Sequence, residues 1–310
     1  MIKNFVKETN NNENDNNGNK NDEEMQYIGL IKDILTKGSL ENSRNGNTLS
    51  VFGAAMHFSL SDNKIPILTS KKVAWRTCLK ELLWFIGGKT DNALLQSQNV
   101  HIWDGNASRN FLDSRGLINR EENDLGPIYG HQWRHFNARY SDCRADYNGQ
   151  GVDQLQNIID ALRDPQQRTS RRLIMSAWNP CQLDEMALPP CHVICQFNVS
   201  NGNKLSCALY QRSADVGLGM PFNIASYSFL THILAKHCGL VASEFIYTLG
   251  NCHIYEDHIP RIKEQLSRST YAFPTIEILN VHENIDDYKM NDFQIHNYNC
   301  GESIFMRMSA

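Results

Sequence analysis

The sequence predicts a mixed α and β fold in which helices and strands share one core. Three observations carry this. Helical periodicity recurs near 25–37, 73–86 and 151–164, and strand-type alternation covers 48–60 with a hairpin over 193–210. Residues 224–238 form a helix apolar nearly all round, the mark of a helix buried on every side.

Taken in order, residues 1–24 are dominated by Asn with Asp, Glu, Lys and Gly, a composition too polar to offset the entropy of ordering. A disordered tail is expected there, with a single domain over 25–310. The first helix then sets Met25, Ile28, Ile31 and Leu35 on one face, with Glu23 and Glu24 near its start and Gly38 past its end. In the following strand the apolar parity changes from Leu49 and Val51 to Met56, Phe58 and Leu60, which predicts a bulge near Gly53. Arg44 lies in the polar loop before it.

The helix from Val73 to Ile86 buries Trp75, Cys78, Leu79, Leu82, Leu83 and Ile86 and stops at Gly87-Gly88. Glu81 falls within it, and the local pattern favours the outer face. A short helix near 92–98 leads to Ile102-Trp103-Asp104, then a Gly- and charge-rich loop to Leu125, then aromatics bracketed by Gly126, Pro127 and Gly130. Residues 151–164 return to an amphipathic helix stopped by Pro165. A strand led by Arg171 and Arg172 follows. Neighbouring strand residues face opposite ways, so two arginines serving one site must project from a strand end or a loop.

Leu188-Pro189-Pro190-Cys191-His192 comes next, where two prolines fix the backbone ahead of a cysteine at the mouth of the strand 193–199. That strand pairs with 205–210 through Ser200-Asn201-Gly202-Asn203. Beyond it, Arg212 and Ser213 offer phosphate donors ahead of Gly217 and Gly219, whose bare backbone lets a ligand approach. His253 and Tyr255 alternate onto one face of a later strand. A helix is expected over 258–268 and strand-like segments from Phe273.

Composition narrows the function. Across 310 residues, 41% hydrophobic and 21% charged content is ordinary for a globular chain. A net charge of −4 and a pI near 6.3 lack the basic excess of a general nucleic-acid or membrane-surface binder. No apolar run reaches the roughly 18 residues needed to span a bilayer, and the start lacks a secretory apolar segment. A cytoplasmic address is expected, with the nucleus open. Nine cysteines without a Cys-x-x-Cys pair fit neither a disulfide framework nor a zinc site, so no metal is expected.

A cysteine chosen blindly is usually a small buried hydrophobe. Here Arg44, Arg171, Arg172 and Arg212, with Ser213, are candidates for a phosphate cradle, and such a cluster is expected to lower the Cys191 thiol pKa. His192 adjoins Cys191 but faces the other way on a strand, which removes it as the thiol's base.

The stretches DLGPIYGHQWRHF, RRLIMSAWNP, MALPPCH, QRSADVGLGMPFNIASY and GNCHIY resemble the thymidylate synthase family from about Met25 onward. The loop 105–125 and the segment GQGVDQLQ resemble its eukaryotic-type branch. The resemblance implies a large twisted mixed sheet covered by helices, dimerising through the sheet face. It implies reductive methylation of dUMP to dTMP, with 5,10-methylenetetrahydrofolate as co-substrate and source of carbon and hydride. Cys191 would add to carbon 6 of the uracil. Glu81 and Tyr129, supported by His192, would handle protons, and Asp215 would contact the pterin.

By the same resemblance, Arg44, Arg212 and Ser213 bind the phosphate, while Arg171 and Arg172 come from the other subunit of a homodimer. Asn223 reads the uracil edge, and His253 and Tyr255 take the 3′-hydroxyl. Ile102, Trp103, Asn106, Leu218, Gly219, Phe222 and the terminal Ala310 match folate positions. The chain departs from the family pattern at Gly250-Asn251, at Asn299-Cys300-Gly301-Glu302 and over its last residues. The alternatives are a dUMP hydroxymethylase of the same fold and a nonenzymatic RNA-binding regulator.

Overall fold

A computed structural model of the chain describes residues 21–43 and 46–308. Six strands form one sheet in the order β1-β2-β6-β5-β4-β3. These are β1 (Ser39–Ser43), β2 (Gly46–Ser59), β3 (Ile174–Ser176), β4 (His192–Ser200), β5 (Lys204–Asp215) and β6 (Val241–Tyr255). Neighbours run antiparallel except β5 and β6, which are parallel. A parallel pair needs a long crossover. Here it is the helix over Gly219–His237.

The helices are α1 (Glu24–Lys37), α2 (Trp75–Ile86), α3 (Asn92–Gln96), α4 (Asp104–Ala107), α5 (Arg109–Ser114), α6 (Tyr129–His135), α7 (Gln154–Arg163), α8 (Gly219–His237) and α9 (Ile259–Leu266). A separate hairpin pairs β7 (Thr275–Ile278) with β8 (Phe293–His296). Helix α8 is the hub. Ile224, Phe229, Leu230, Ile233 and Leu234 are all fully buried in it, and it packs on α2, β5 and β6. Each such side chain contributes about 1.5–3 kcal/mol by leaving water. Gly239, at φ 68°, supplies the left-handed turn that ends the helix.

The packed structure includes residues just before Met25. Asn21 Oδ1 accepts from the N–H groups of Glu23 and Glu24, and its backbone N–H donates to Thr270 Oγ1 at 3.0 Å. Glu24 is fully buried and accepts from the N–H groups of Thr69 and Ser70. The acids at 23 and 24 therefore belong to the packed unit rather than to the tail, because the buried carboxylate finds donors of its own. The remainder of the expected tail lies outside the described residues.

Other local expectations are also adjusted. The register between β2 and β6 runs from Thr48↔Tyr255 to Ser59↔Glu244 without a slip, so no extra residue is inserted. The irregularity at Gly53 is a positive φ of 88° instead. The loop expected as far as Leu125 contains α4 and α5, and the aromatics after it begin α6, while residues 115–128 stay irregular. Strand β3 is only three residues long, with Arg171 and Arg172 in the turn before it. Strand β5 runs on to Asp215, which carries Arg212 and Ser213 to the sheet's end.

Candidate active site

The C-terminal ends of the parallel pair β5 and β6 lie side by side, with Ser213 opposite Asn251 and Asp215 opposite His253. Directly paired residues project to one face. This register gathers four polar side chains at one end of the sheet. The chain leaves β5 through a tight turn into α8, where Asp215 Oδ1 accepts from the N–H groups of Gly217 at 2.8 Å and Leu218 at 3.1 Å. A Cβ at Gly217 would lie 3.0 Å from Met306 Sδ and 3.1 Å from His258 Nδ1, so a side chain there is crowded. The first turn of α8 then carries the half-buried Phe222 and Asn223.

Cys191 sits just before β4, and the diproline leaves two carbonyls free to accept. Arg212 takes both: Nε donates to Pro190 O at 2.8 Å and Nη2 to Pro189 O at 2.8 Å. The same Nη2 stands 3.8 Å from Cys191 Sγ, and the guanidinium lies over Trp178, 5.6 Å from the ring centre. The Cys191 N–H donates to Tyr129 Oη at 2.7 Å. The thiol is thus fixed from the backbone on one side and by a cation on the other.

Burial nevertheless pushes the Cys191 thiol up, with Arg212 pulling it only partly back. This corrects the expectation of a lowered pKa. Among the described residues only Arg212 reaches the sulfur, and its guanidinium is shared with two carbonyls, so desolvation wins.

A second wall comes from α2, α4 and α6. Glu81 is turned inward from α2 and accepts from Trp103 Nε1 at 2.7 Å. Burial raises its carboxyl to about 7, against the lowering effect of that hydrogen bond. The expected outer face is therefore wrong for Glu81. Helix α2 packs against both α8 and α6, so a second face is covered and the acid is caught on it. Behind it, Tyr129 stacks on His192 with ring centres 4.3 Å apart, and His192 Nδ1 pairs with Tyr227 Oη at 3.1 Å. Burial lowers His192 to about 3, so it stays neutral.

A family model for thymidylate synthase matches residues 25–310. The chain belongs to the thymidylate synthase family. It is 54% identical over 288 residues to human thymidylate synthase, covering 93% of this chain and 91% of that one. It is 50% identical over 290 residues to the maize bifunctional dihydrofolate reductase-thymidylate synthase, covering 93% of this chain and 55% of the relative. The Leishmania major bifunctional protein is 48% identical over 293 residues, with 94% and 56% covered. The chain thus spans about half the length of its bifunctional relatives.

Within this family member the fold brings together Cys191, Arg212, Tyr129, His192, Glu81 and Trp103 through the contacts above. Ser213, Asp215, Asn251 and His253 share one end of the sheet, with Tyr255 next to His253 at 5.3 Å between ring centres. Gly219 lies between Asp215 and Asn223, since an added Cβ would lie 3.7 Å from Asp215 Cβ and 3.8 Å from Asn223 Oδ1. Ile102 and Leu218 are half-buried and Asn106 is buried. Arg171 and Arg172 are exposed, and their side chains make no hydrogen bond or ion pair among the described residues. Arg44 and Ala310 lie outside the described residues.

Sequence reasoning passed over four neighbours of the site: Trp178 under Arg212, Tyr227 behind His192, Lys71 and His258. Lys71 is buried and its ammonium donates to Gly217 O, while His258 Nε2 donates to Arg307 O at 2.7 Å. Tyr227 and Trp178 stood within quoted motifs, so their rings were the available signal. Lys71 and His258 carried none, because each acts on a backbone carbonyl remote in sequence.

Proposed function

We propose that this chain converts dUMP to dTMP, with Cys191 adding to carbon 6 of the uracil. The observation that carries the reading is Arg212 gripping both proline carbonyls and standing 3.8 Å from Cys191 Sγ, with the buried carboxyl of Glu81, raised to about 7, on the other wall. Addition forms an S–C bond at carbon 6 and leaves an electron pair at carbon 5, which splits one hard substitution into easier steps. The co-substrate 5,10-methylenetetrahydrofolate supplies the one-carbon unit and the hydride, leaving as dihydrofolate.

The chain's own residues then have distinct tasks. Glu81, held near 7 by burial, exchanges a proton with the base close to neutral pH, and Trp103 holds its carboxyl in place. Tyr129 is tied to the Cys191 backbone, so thiol and phenol keep a fixed relation. His192, neutral and stacked, supports Tyr129 rather than deprotonating Cys191. Asn223 reads the uracil edge, His253 and Tyr255 hold the sugar hydroxyl, and Arg44, Arg212 and Ser213 bind the phosphate. Asp215, Ile102, Trp103, Asn106, Leu218, Gly219, Phe222 and Ala310 bound the folate site.

The working unit in this reading is a homodimer joined through the sheet face. Ile174, Ile194 and Tyr210 are 42%, 36% and 39% exposed, and Ile194 is paired with Tyr210 on adjacent strands. Isolated exposed apolar residues are ordinary, but a cross-strand group on an uncovered sheet favours a partner. Arg171 and Arg172, exposed beside it, reach the partner's phosphate site.

The test is an assay of the purified protein with dUMP and 5,10-methylenetetrahydrofolate. One dihydrofolate per dTMP is expected. Release of tetrahydrofolate with a hydroxymethylated nucleotide would replace the synthase reading with the hydroxymethylase one.

A further inference from the structure

Asn251 and His253 lie two residues apart on β6 and project beside Ser213 and Asp215 of β5. The Asn251 carbonyl oxygen is 3.0 Å from His253 Nδ1. A neutral imidazole carries one N–H and one bare lone pair, and the partner of one nitrogen decides the role of the other. We infer that Asn251 is a positioning residue that keeps the His253 proton on Nδ1, so that Nε2 is an acceptor for a donating hydroxyl of the nucleotide sugar. This rests on the proposed place of His253 at the 3′-hydroxyl.

The surroundings hold the ring uncharged. Burial lowers the pKa of His253, and His258 adds to that. Asp215 across the strand pair and Glu41 on β1 act the other way and do not overcome it. Tyr255 packs edge-on against the ring, with centres 5.3 Å apart and planes at 86°. An amide at 251 supplies an acceptor without adding a third carboxylate to this group. The ring is thus both oriented and left neutral, and a hydroxyl that donates to Nε2 is selected over a sugar carbon bearing only hydrogen.

Ring-nitrogen-15 NMR of histidine-labelled protein reads the tautomer without any substrate, with the His253 signals assigned by their loss in His253→Gln. The Nδ1-protonated form is expected at pH 7, redistributing toward Nε2–H in Asn251→Ala. Asn251→Asp keeps the acceptor, so the Nδ1 proton persists, while the added charge raises the His253 titration midpoint. In kinetics, Asn251→Ala is expected to raise KM for dUMP about three- to tenfold, the worth of one hydrogen bond. KM for 2′,3′-dideoxyuridylate, which lacks the hydroxyl, stays where it is in the wild type.

An Nε2-protonated wild type, or an equal KM rise for both nucleotides, overturns the inference. If Asn251→Ala does not fold, Asn251→Asp carries the test alone. An unchanged His253 midpoint in that variant counts against the contact. Failure of the wild type to form dTMP would sink the synthase reading instead, and the tautomer result is independent of it.

Discussion

The two walls flanking Cys191 are built on opposite principles. On the helical wall, Glu81, Trp103, Tyr129, His192 and Tyr227 bond or stack with one another or with the Cys191 backbone, and burial drives each titrating group toward its neutral form. Glu81 rises to about 7, His192 falls to about 3 and Tyr129 rises above its ordinary value. On the strand-end wall, Ser213 and Asn223 are half-buried and their side chains take no hydrogen bond among the described residues. A polar group sealed away without a partner costs about 1–3 kcal/mol, so these stay near solvent until a ligand arrives. A self-satisfied, uncharged wall is suited to moving a proton, and a wall that keeps open valences at Ser213 and Asn223 is suited to holding a substrate.

The largest effect belongs to the residue between them. Cys191→Ser is expected to cut turnover about 10⁴-fold or more, because a hydroxyl is a far weaker nucleophile in the same position. The strand-end wall survives the change, so dUMP binding by calorimetry should persist. Undiminished turnover would remove Cys191 from the chemistry, and loss of binding would merge the two walls into one.

Arg172→Glu should also inactivate the protein when alone, because in the proposed dimer it turns a phosphate ligand into a repelling charge. Mixed with Cys191→Ser chains, it should regain activity, since one site of each heterodimer then keeps a good cysteine and a good arginine. Verified heterodimers without activity would count against the shared site.

Glu81→Gln tests the division of labour directly. A loss of about 10²–10⁴ in kcat is expected with little change in dUMP affinity. Stability should move the other way. A carboxyl whose folded pKa is raised from 4.5 to about 7 favours the folded state at low pH, and that contribution is lost as pH rises from 4.5 through about 7. Above pH 7 the wild type holds a poorly solvated carboxylate that the variant lacks, so Glu81→Gln should melt higher at pH 8 and closer to wild type at pH 4. A variant that melts lower at pH 8 would mean that the carboxylate is stabilising where it sits.

The same contrast explains what could be read without the fold. Cys191, the hairpin after it, the stop of α2 at Gly87 and the all-round apolar α8 follow from local pattern and turn residues. Glu81 did not, because a single helix shows one apolar stripe, whereas α2 is covered by both α8 and α6. The short helices within 104–135 were hidden by their shortness and by the glycines and proline in and around them, and tertiary packing of Trp103, Tyr129 and Trp133 holds them. Arg212 and Ser213 were placed just beyond the strand 205–210, yet β5 carries them, since polar residues are what a strand bears where its sheet opens into a cleft. The thiol's raised pKa was unreadable for a different reason: counting arginines says nothing of which one touches sulfur or what else it is bonded to.

Trp103→Phe gives the smallest and most specific effect. The indole N–H donates to Glu81 Oε1 at 2.7 Å, and this bond opposes the rise caused by burial. A hydrogen bond to the charged form favours that form, so removing the donor while keeping an apolar ring should lift Glu81 above about 7. The limb of the kcat profile governed by Glu81 should therefore move to higher pH, with dUMP affinity unchanged because the strand-end wall is untouched. If the limb stays fixed while kcat falls at every pH, Trp103 acts only as packing and the helical wall is less self-contained than its geometry indicates. If the limb moves and affinity falls with it, the two walls are coupled through the base, and the proton-handling side also helps to hold the substrate.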